Sequence, residues 1–507
     1  TLGSTATRYA IESTDMIRWR PAASATVPNL SAGADLTFRA PGIVVDGTVE
    51  APFGVLRFEA QSIEVGANGR LATGTDSLVP FGRVEAGTDW VYKLEGDRTR
   101  VFGPGERPLP SKSIELAAGV IELLPGSVID VGGGGDLLAY EFQPGPTGSL
   151  DLLDAAIGAE YFAILPAAPS AFASYDPREY RGSSLLPGDS LYLAGGGGIA
   201  AGEYALYPAR YALLPGAVLV RAAPGFEGIL PGQSIAQSDG STIVAGYRTL
   251  AGSGAVEALY AGFAVADARA AVPRLARYET SLANEFFSGR ADSSFALPRD
   301  AGDLRLAAGA GLRAAGSLES APAAAGRAAR VDVAAERLRI VPRIAAPVAG
   351  VVQILDSDLR GLASGSLLVG GRRVGTPNGV AVEADAREVV VAPGALLEGG
   401  ELLLAARDLV TLESGAKLVA RGGTGGADAL ELRGGSALVG ASSGDGPTVT
   451  RASGTTGAGR LTVERGSTIE AAGSALLAAT GDADLLGELA LTGAALGLEL
   501  ASLELVD

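Results

Sequence analysis

No cysteine, no histidine and a single methionine occur in this 507-residue chain. Without cysteine there are no disulfides, which suits a large protein that must cross a membrane unfolded and fold outside the cell. Without histidine, Ser-His-Asp and Cys-His catalysis are excluded, as are zinc sites built from His or Cys. Lysine is almost absent too: only Lys93, Lys112 and Lys417 occur, and the remaining basic residues are arginine. The net charge of −17 disfavours nucleic acid, polyanions and anionic membranes as partners. No apolar run reaches the ~18 residues of a membrane-spanning helix. No Gly-x-x-x-x-Gly-Lys-Ser/Thr phosphate loop is present. The chain opens on Thr1 with no signal-like stretch, which reads as a mature or excised segment.

The most uneven absence is that of aromatic side chains. Ala296 to Asp507 contains no Phe, Tyr or Trp, whereas Tyr140 to Phe287 holds 18 of the chain's 28 aromatics. Aromatics fill ordinary cores because each buries much apolar area in one piece. The aromatic-free stretch must pack Leu, Val, Ile and Ala among glycines, so its core is thin, and a thin core repeated along an axis is a solenoid.

What is there supports repetition. An apolar-any-apolar triplet, two further residues, a Gly, two more residues and another apolar residue recur at Ile121–Ile129, Tyr211–Leu219, Leu304–Leu312, Val389–Leu397, Val410–Leu418 and Leu461–Ile469. The triplet predicts a half-buried strand, the glycine a turn, and the last apolar residue a second strand on the next side. Gly394 and Gly415 lie 21 residues apart, the length of one coil of a parallel β-helix. About 350 residues at that repeat predict roughly 16 coils spaced ~4.8 Å apart. Helical signals are weak: Ala264–Val272 is stopped by Pro273, and Ala321–Ala329 is interrupted by Pro322 and Gly326. The expected fold class is therefore all-β, a parallel β-helix with an aromatic-rich elaboration; its right hand comes from the resemblance given below. Its expected parts are coils over 1–139, the elaboration over 140–295 and regular coils over 296–507.

Several motifs of the middle region, in unbroken order, carry a resemblance. They include Val131-Gly-Gly-Gly-Gly-Asp136-Leu-Leu-Ala-Tyr140, Pro187-Gly-Asp-Ser-Leu-Tyr192-Leu, Leu206-Tyr-Pro-Ala-Arg210-Tyr-Ala-Leu-Leu-Pro215-Gly, Ile243-Val-Ala-Gly-Tyr247-Arg and Tyr278-Glu-Thr-Ser-Leu-Ala-Asn284-Glu-Phe-Phe287. With Val79-Pro-Phe-Gly-Arg83 and Trp90 upstream, they resemble a region toward the carboxyl end of filamentous-haemagglutinin-family exoproteins of Gram-negative bacteria. The resemblance implies the right-handed hand of the β-helix and two-partner secretion through an outer-membrane β-barrel transporter. It also implies an extracellular or outer-membrane-surface location. The implied role is adhesion, aggregation or filament formation, without catalysis, with a host or neighbouring-cell surface and its glycans as partner. A polysaccharide-cleaving enzyme on the same scaffold and a passive spacer stalk are the alternatives.

Candidate chemistry is sparse, and no catalytic, cofactor-binding or metal-ligating residue is assigned. Tyr204, Tyr207 and Tyr211 are the candidate ligand contacts, since tyrosine rings stack on sugars; the competing reading packs them inside the elaboration. Asp356 and Asp358, two apart, would point the same way from a strand, as paired carboxylates for acid–base work require. The competing reading is a solvated face. Gly422–Asp428 approaches a calcium-binding nonapeptide with its aspartate one place late, and Gly132–Gly135 precedes Asp136; both also read as turns. The final Leu498–Leu505 is an uncapped strand pattern, expected either of an excised segment or of end-to-end self-association.

Overall fold

The computed structural model describes residues 8–21, 30, 32–93, 99–145, 148–154, 160–167, 185–186, 188–250, 253–289, 295–363, 365–376, 379–422, 430–444, 449–451, 455–492 and 495–500. The protein is all-β, with seven sheets and three short α-helices among these residues. A twelve-stranded sheet runs through most of the chain. Its path of eleven successive rungs begins at Arg8–Glu12 and ends at Ala495–Leu500. Consecutive rungs lie in register: Leu36, Leu56, Ile114 and Leu304 stack, as do Phe38, Phe58, Leu116 and Leu306. At the usual strand separation, eleven rungs extend for about 48 Å, shorter than sixteen coils would be. Much of the chain leaves the ladder: the partners Asp35 and Val55 are 20 residues apart, but Ser113 and Asp303 are 190 apart.

Shorter parallel sheets form the other sides. Thr48–Glu50, Arg70–Ala72, Val128–Asp130 and Ser317–Glu319 make one. In the aromatic-free half, Leu396–Gly399, Lys417–Ala420, Thr468–Ala471 and Glu488–Leu491 make another, and a six-stranded sheet includes Glu388–Val391, Leu409–Leu412 and Arg460–Val463. Leu396 pairs with Lys417, so the 21-residue glycine spacing is one turn of the chain. Gly394, Gly415 and Gly466 adopt φ of 75°, 83° and 87°, a left-handed corner that a side chain would strain. Between the sheets a single apolar cluster extends from Ala34 to Ala479, and Phe38 stacked on Phe58 at 4.8 Å is its aromatic content.

Two of the six repeat motifs fold differently from expectation. Tyr211 lies in a 3-10 turn, Ala209–Leu213, instead of a strand. Gly309 sits inside the continuous strand Asp303–Ala314, where a Cβ would lie 3.4 Å from the Cα of Gly119 on the neighbouring rung; it allows close approach and makes no corner. The helix Ala268–Leu275 continues through Pro273, and 321–329 forms no helix.

One rung runs backwards. Ala437–Ser442 lies between Glu401–Ala406 and Ser474–Ala479 and is antiparallel to both. These three strands are buried on both faces, which explains their continuous apolar runs. One face joins the long core; Leu403, Leu438 and Leu476 on the other meet Val380, Val382, Leu430 and Leu432 of a four-stranded side sheet.

The largest departure from the ladder lies between Asp136–Gln143 and Arg277–Leu282, which pair antiparallel and so bring the chain out and back side by side. Between them lies a nine-stranded sheet in which every pairing is antiparallel. Where the outgoing and returning strands pair, Trp90, Phe287, Phe53, Phe81 and Phe295 pack with Leu137, Ala139 and Ala283 in an aromatic core, with the Trp90 indole N–H donating to the carbonyl of Phe81 at 3.1 Å.

Candidate functional site

The tyrosines singled out in the sequence are interior. Tyr207 and Tyr211 are each 2% exposed, with ring centroids 5.2 Å apart in a core with Leu152, Leu165, Leu219 and Val272. The Arg210 guanidinium lies 4.8 Å from the Tyr211 ring, and burial raises the Tyr207 hydroxyl pKa. Tyr204 is 7% exposed, packs with Leu191, Leu206 and Val220, and donates its hydroxyl to the Ala200 carbonyl at 2.9 Å. These rings hold the antiparallel module together and offer no open face to a sugar.

A different set of tyrosines reaches the surface of the same sheet. Strand Asp189–Leu193 alternates: Leu191 and Leu193 enter the core, and Tyr192 turns to the other face. Its neighbours in register are Glu203 on Gly202–Ala205 and Tyr247 on Thr242–Leu250, so all three share that face. Tyr260 stands at the start of Ala261–Asp267, whose Ala261 opposes Gly246. The Tyr192 and Tyr247 rings stack at 4.9 Å and 20°, and Tyr260 meets Tyr247 edge-on at 5.3 Å and 76°. All three are half-buried. Gly246, whose missing side chain belongs to the opposite, core face, lets the strands close up beneath the row: a Cβ there would lie 2.5 Å from the Tyr192 carbonyl oxygen and 3.0 Å from the Phe263 ring.

Polar groups flank the row. Glu203 Oε1 accepts from the Ser190 hydroxyl at 2.9 Å and from Thr249 at 2.5 Å, while Oε2 has no hydrogen-bond partner among the described residues. Desolvation raises the Tyr247 hydroxyl pKa, and the charges of Tyr260, Tyr192 and Glu203 add to the effect. Leu250, Val256 and Leu259 lie exposed on the adjacent strand and loop, Leu259 at 77%. The lower end of the same face is closed by Ile229, Ile243, Ala245 and Ala264.

Asp356 and Asp358 are not a strand pair. They begin the short helix Asp356–Leu362, both are buried, and they serve separate partners. Asp356 Oδ2 accepts the Leu396 amide at 2.9 Å and lies 3.6 Å from Arg360. Asp358 Oδ2 accepts the Ala314 amide at 2.9 Å and the Arg313 guanidinium at 3.3 Å. Asp136, after the glycine run, accepts the amides of Leu137 and Asn284 at 2.8 and 3.1 Å, and burial raises its pKa. Of the other calcium-like stretch, residues 423–428 lie outside the described residues, as do 501–505 of the uncapped strand pattern. Among the described residues no group of three or more acidic side chains converges as a metal site would require. A concavity of about 240 Å³ lies between Phe53, Phe81, Tyr92, Phe102, Arg100 and Arg107, and its rings mostly pack on one another.

No family model, curated protein or solved structure matches this chain.

Proposed function

We propose that the chain is a segment of a secreted or surface-attached exoprotein of the filamentous-haemagglutinin kind. In this reading its stacked strands form a right-handed parallel β-helical shaft over 1–139 and 296–507. The aromatic-rich elaboration over 140–295 is displayed on that shaft for recognition. The function is adhesive and structural, without catalysis: attachment to a host or neighbouring cell, aggregation or filament formation. Export would pass through an outer-membrane β-barrel partner, and the location would be the outer surface of a Gram-negative cell. End-to-end association of shafts is part of the same reading.

The observation that carries the proposal is the pairing of an in-register parallel ladder with one large antiparallel module whose outer face exposes aromatic rings. Each rung of the ladder contacts only its neighbours, so length is added without changing the core, as a display shaft requires. The module is entered and left on adjacent antiparallel strands beside the ladder, and the ladder strands before and after it, Ser113–Leu123 and Asp303–Ala314, still pair with each other, so the stack is not interrupted. The two aspartates that would have favoured polysaccharide cleavage are engaged by backbone amides and arginines instead.

Beads coated with the full chain should adhere to epithelial cells and to bacterial cells, and clump with one another, more than albumin-coated beads. Beads that behave like the albumin control would contradict the adhesive reading. Release of reducing ends from a polysaccharide by the same preparation would favour the enzymatic alternative.

A further inference from the structure

The face of the antiparallel sheet that carries Tyr192, Tyr247 and Tyr260 differs from every other exposed surface described. Other rings keep some surface in solvent singly or in pairs, such as Trp19 and the Phe142–Tyr278 pair, but here three lie in a row across adjacent strands and keep part of their surface in solvent. A row of tyrosines presents apolar ring carbons together with phenolic hydroxyls, a combination suited to ligands that are themselves both apolar and polar. A carboxylate stands at the end of the row, on the strand beside Tyr192. Glu203 is held by two hydroxyls through one oxygen, and its other oxygen remains available as an acceptor. The exposed Val256 and Leu259 extend the apolar surface on the Tyr260 side.

From this juxtaposition we infer that the row Tyr192–Tyr247–Tyr260, with Glu203, binds a neutral oligosaccharide. The rings stack on one another, so pyranose C–H groups pack against their exposed edge carbons, and a sugar hydroxyl donates to Glu203 Oε2. The two inter-ring steps, 4.9 and 5.3 Å, give a row the length of a disaccharide. Neutrality follows from charge. Glu203 and Glu257, which accepts the Arg248 amide at 2.8 Å, border the row, while the Arg248 guanidinium is engaged with Asp189 at 3.1 Å. A sialic or uronic acid would meet carboxylates, within a chain of net charge −17. Shallow sites of this kind bind weakly one at a time, and many copies along a surface raise the total by avidity. The inference rests on the adhesive reading above and names its ligand class.

Saturation-transfer NMR on the full chain, with methyl cellobioside and lactose as neutral probes and sialyllactose as the acidic one, tests it. Transfer to the neutral probes is expected, with little to sialyllactose. Tyr247→Ala and Glu203→Gln should each weaken neutral binding by about tenfold, roughly one conventional hydrogen-bond or ring contact. Tyr247→Phe keeps the ring and should retain most of the binding. Because Tyr247→Ala could loosen the sheet, Glu203→Gln, at an exposed position, is the variant that keeps the test valid. No transfer to either neutral probe, or transfer unchanged in both Tyr247→Ala and Glu203→Gln, would overturn the site. If wild-type beads adhere to cells and both variants adhere equally well, the adhesive reading stands and this site is wrong.

Discussion

Arg373→Met should destabilise the aromatic-free half by about 3–5 kcal/mol, the usual cost of removing one partner from a buried ion pair. Arg373 has a side chain only 6% exposed and joins three successive layers. Its guanidinium pairs with Asp332, its Nη2 donates to the Ser366 hydroxyl at 2.5 Å, and Ser366 in turn donates to Glu401. The backbone amide of Arg373 adds a bond to Asp332 at 2.7 Å. Burial raises the Asp332 pKa even with the arginine in place, because desolvation outweighs the attraction. Without Arg373 the carboxyl rises further and prefers to be neutral in the folded state. A folded pKa above the unfolded one adds stability that is complete below the unfolded value and lost as pH rises through the folded value. The deficit of Arg373→Met should therefore be smallest near pH 4 and grow toward neutrality. Urea unfolding followed at several pH values checks both size and sign. Adding Asp332→Leu should recover much of the loss, since an apolar pair needs no partner.

Lys112→Met should cost on the order of 3 kcal/mol, by leaving buried carbonyls without a donor. The ammonium donates to the carbonyls of Gly132, Pro298 and Asp300 at 3.0, 2.6 and 3.1 Å, and it lies 5.0 Å from the centre of the Phe53 ring. It thus ties the ladder strand Ser113–Leu123 to the glycine run and to the segment where the chain returns from the antiparallel module. Burial lowers its pKa to about 8, against the pull of nearby aspartates, Asp300 first. The unfolded chain, with an ordinary lysine, holds its proton to about pH 10.4. Between those values the unfolded state binds more protons, so this group makes the folded state more stable as pH rises from 8 to 10.4; below 8 its desolvation cost is fully present. Wild type should gain stability relative to Lys112→Met across that window. Hydrogen exchange at the amides of Gly133 and Asp303, which bond to Ala321 and Lys112 carbonyls, reports the local loosening directly.

Much of the side-sheet stacking was legible in the sequence because its repeat is local. Val389–Leu397, Val410–Leu418 and Leu461–Ile469 each carry a strand triplet, a glycine with positive φ and a second strand, and each folds so. Alternation of period two has no direction, however, so Ala437–Ser442 reads the same forwards or backwards, and nothing in its residues announces the reversed rung. A glycine likewise has two uses. Gly415 makes a corner, whereas Gly309 lets two rungs approach, and only the neighbouring Gly119 tells them apart. The coil count came out high because length alone does not show how many residues leave the stack. In the module, the clustered Tyr204, Tyr207 and Tyr211 drew attention because they are close in sequence, but proximity along the chain is what a compact core supplies. Tyr192 and Tyr247 are 55 residues apart, and the order of antiparallel strands brings them together. Their one local signal is Leu191-Tyr192-Leu193, in which two core leucines force the tyrosine to the opposite face.

The central claim is that distant segments stack in register as successive coils. The absence of cysteine makes one measurement decisive. Lys417 and Thr468 are 51 residues apart and paired in register on neighbouring parallel strands. Strands about 4.8 Å apart place paired Cα atoms within disulfide range, roughly 4.4–6.8 Å. The double variant Lys417→Cys/Thr468→Cys should therefore oxidise readily to an intramolecular disulfide and melt no lower than wild type. Lys417→Cys/Glu470→Cys, two residues out of register, should oxidise much more slowly. Equal oxidation of the two pairs, or none in the first, would contradict the stacked-coil account.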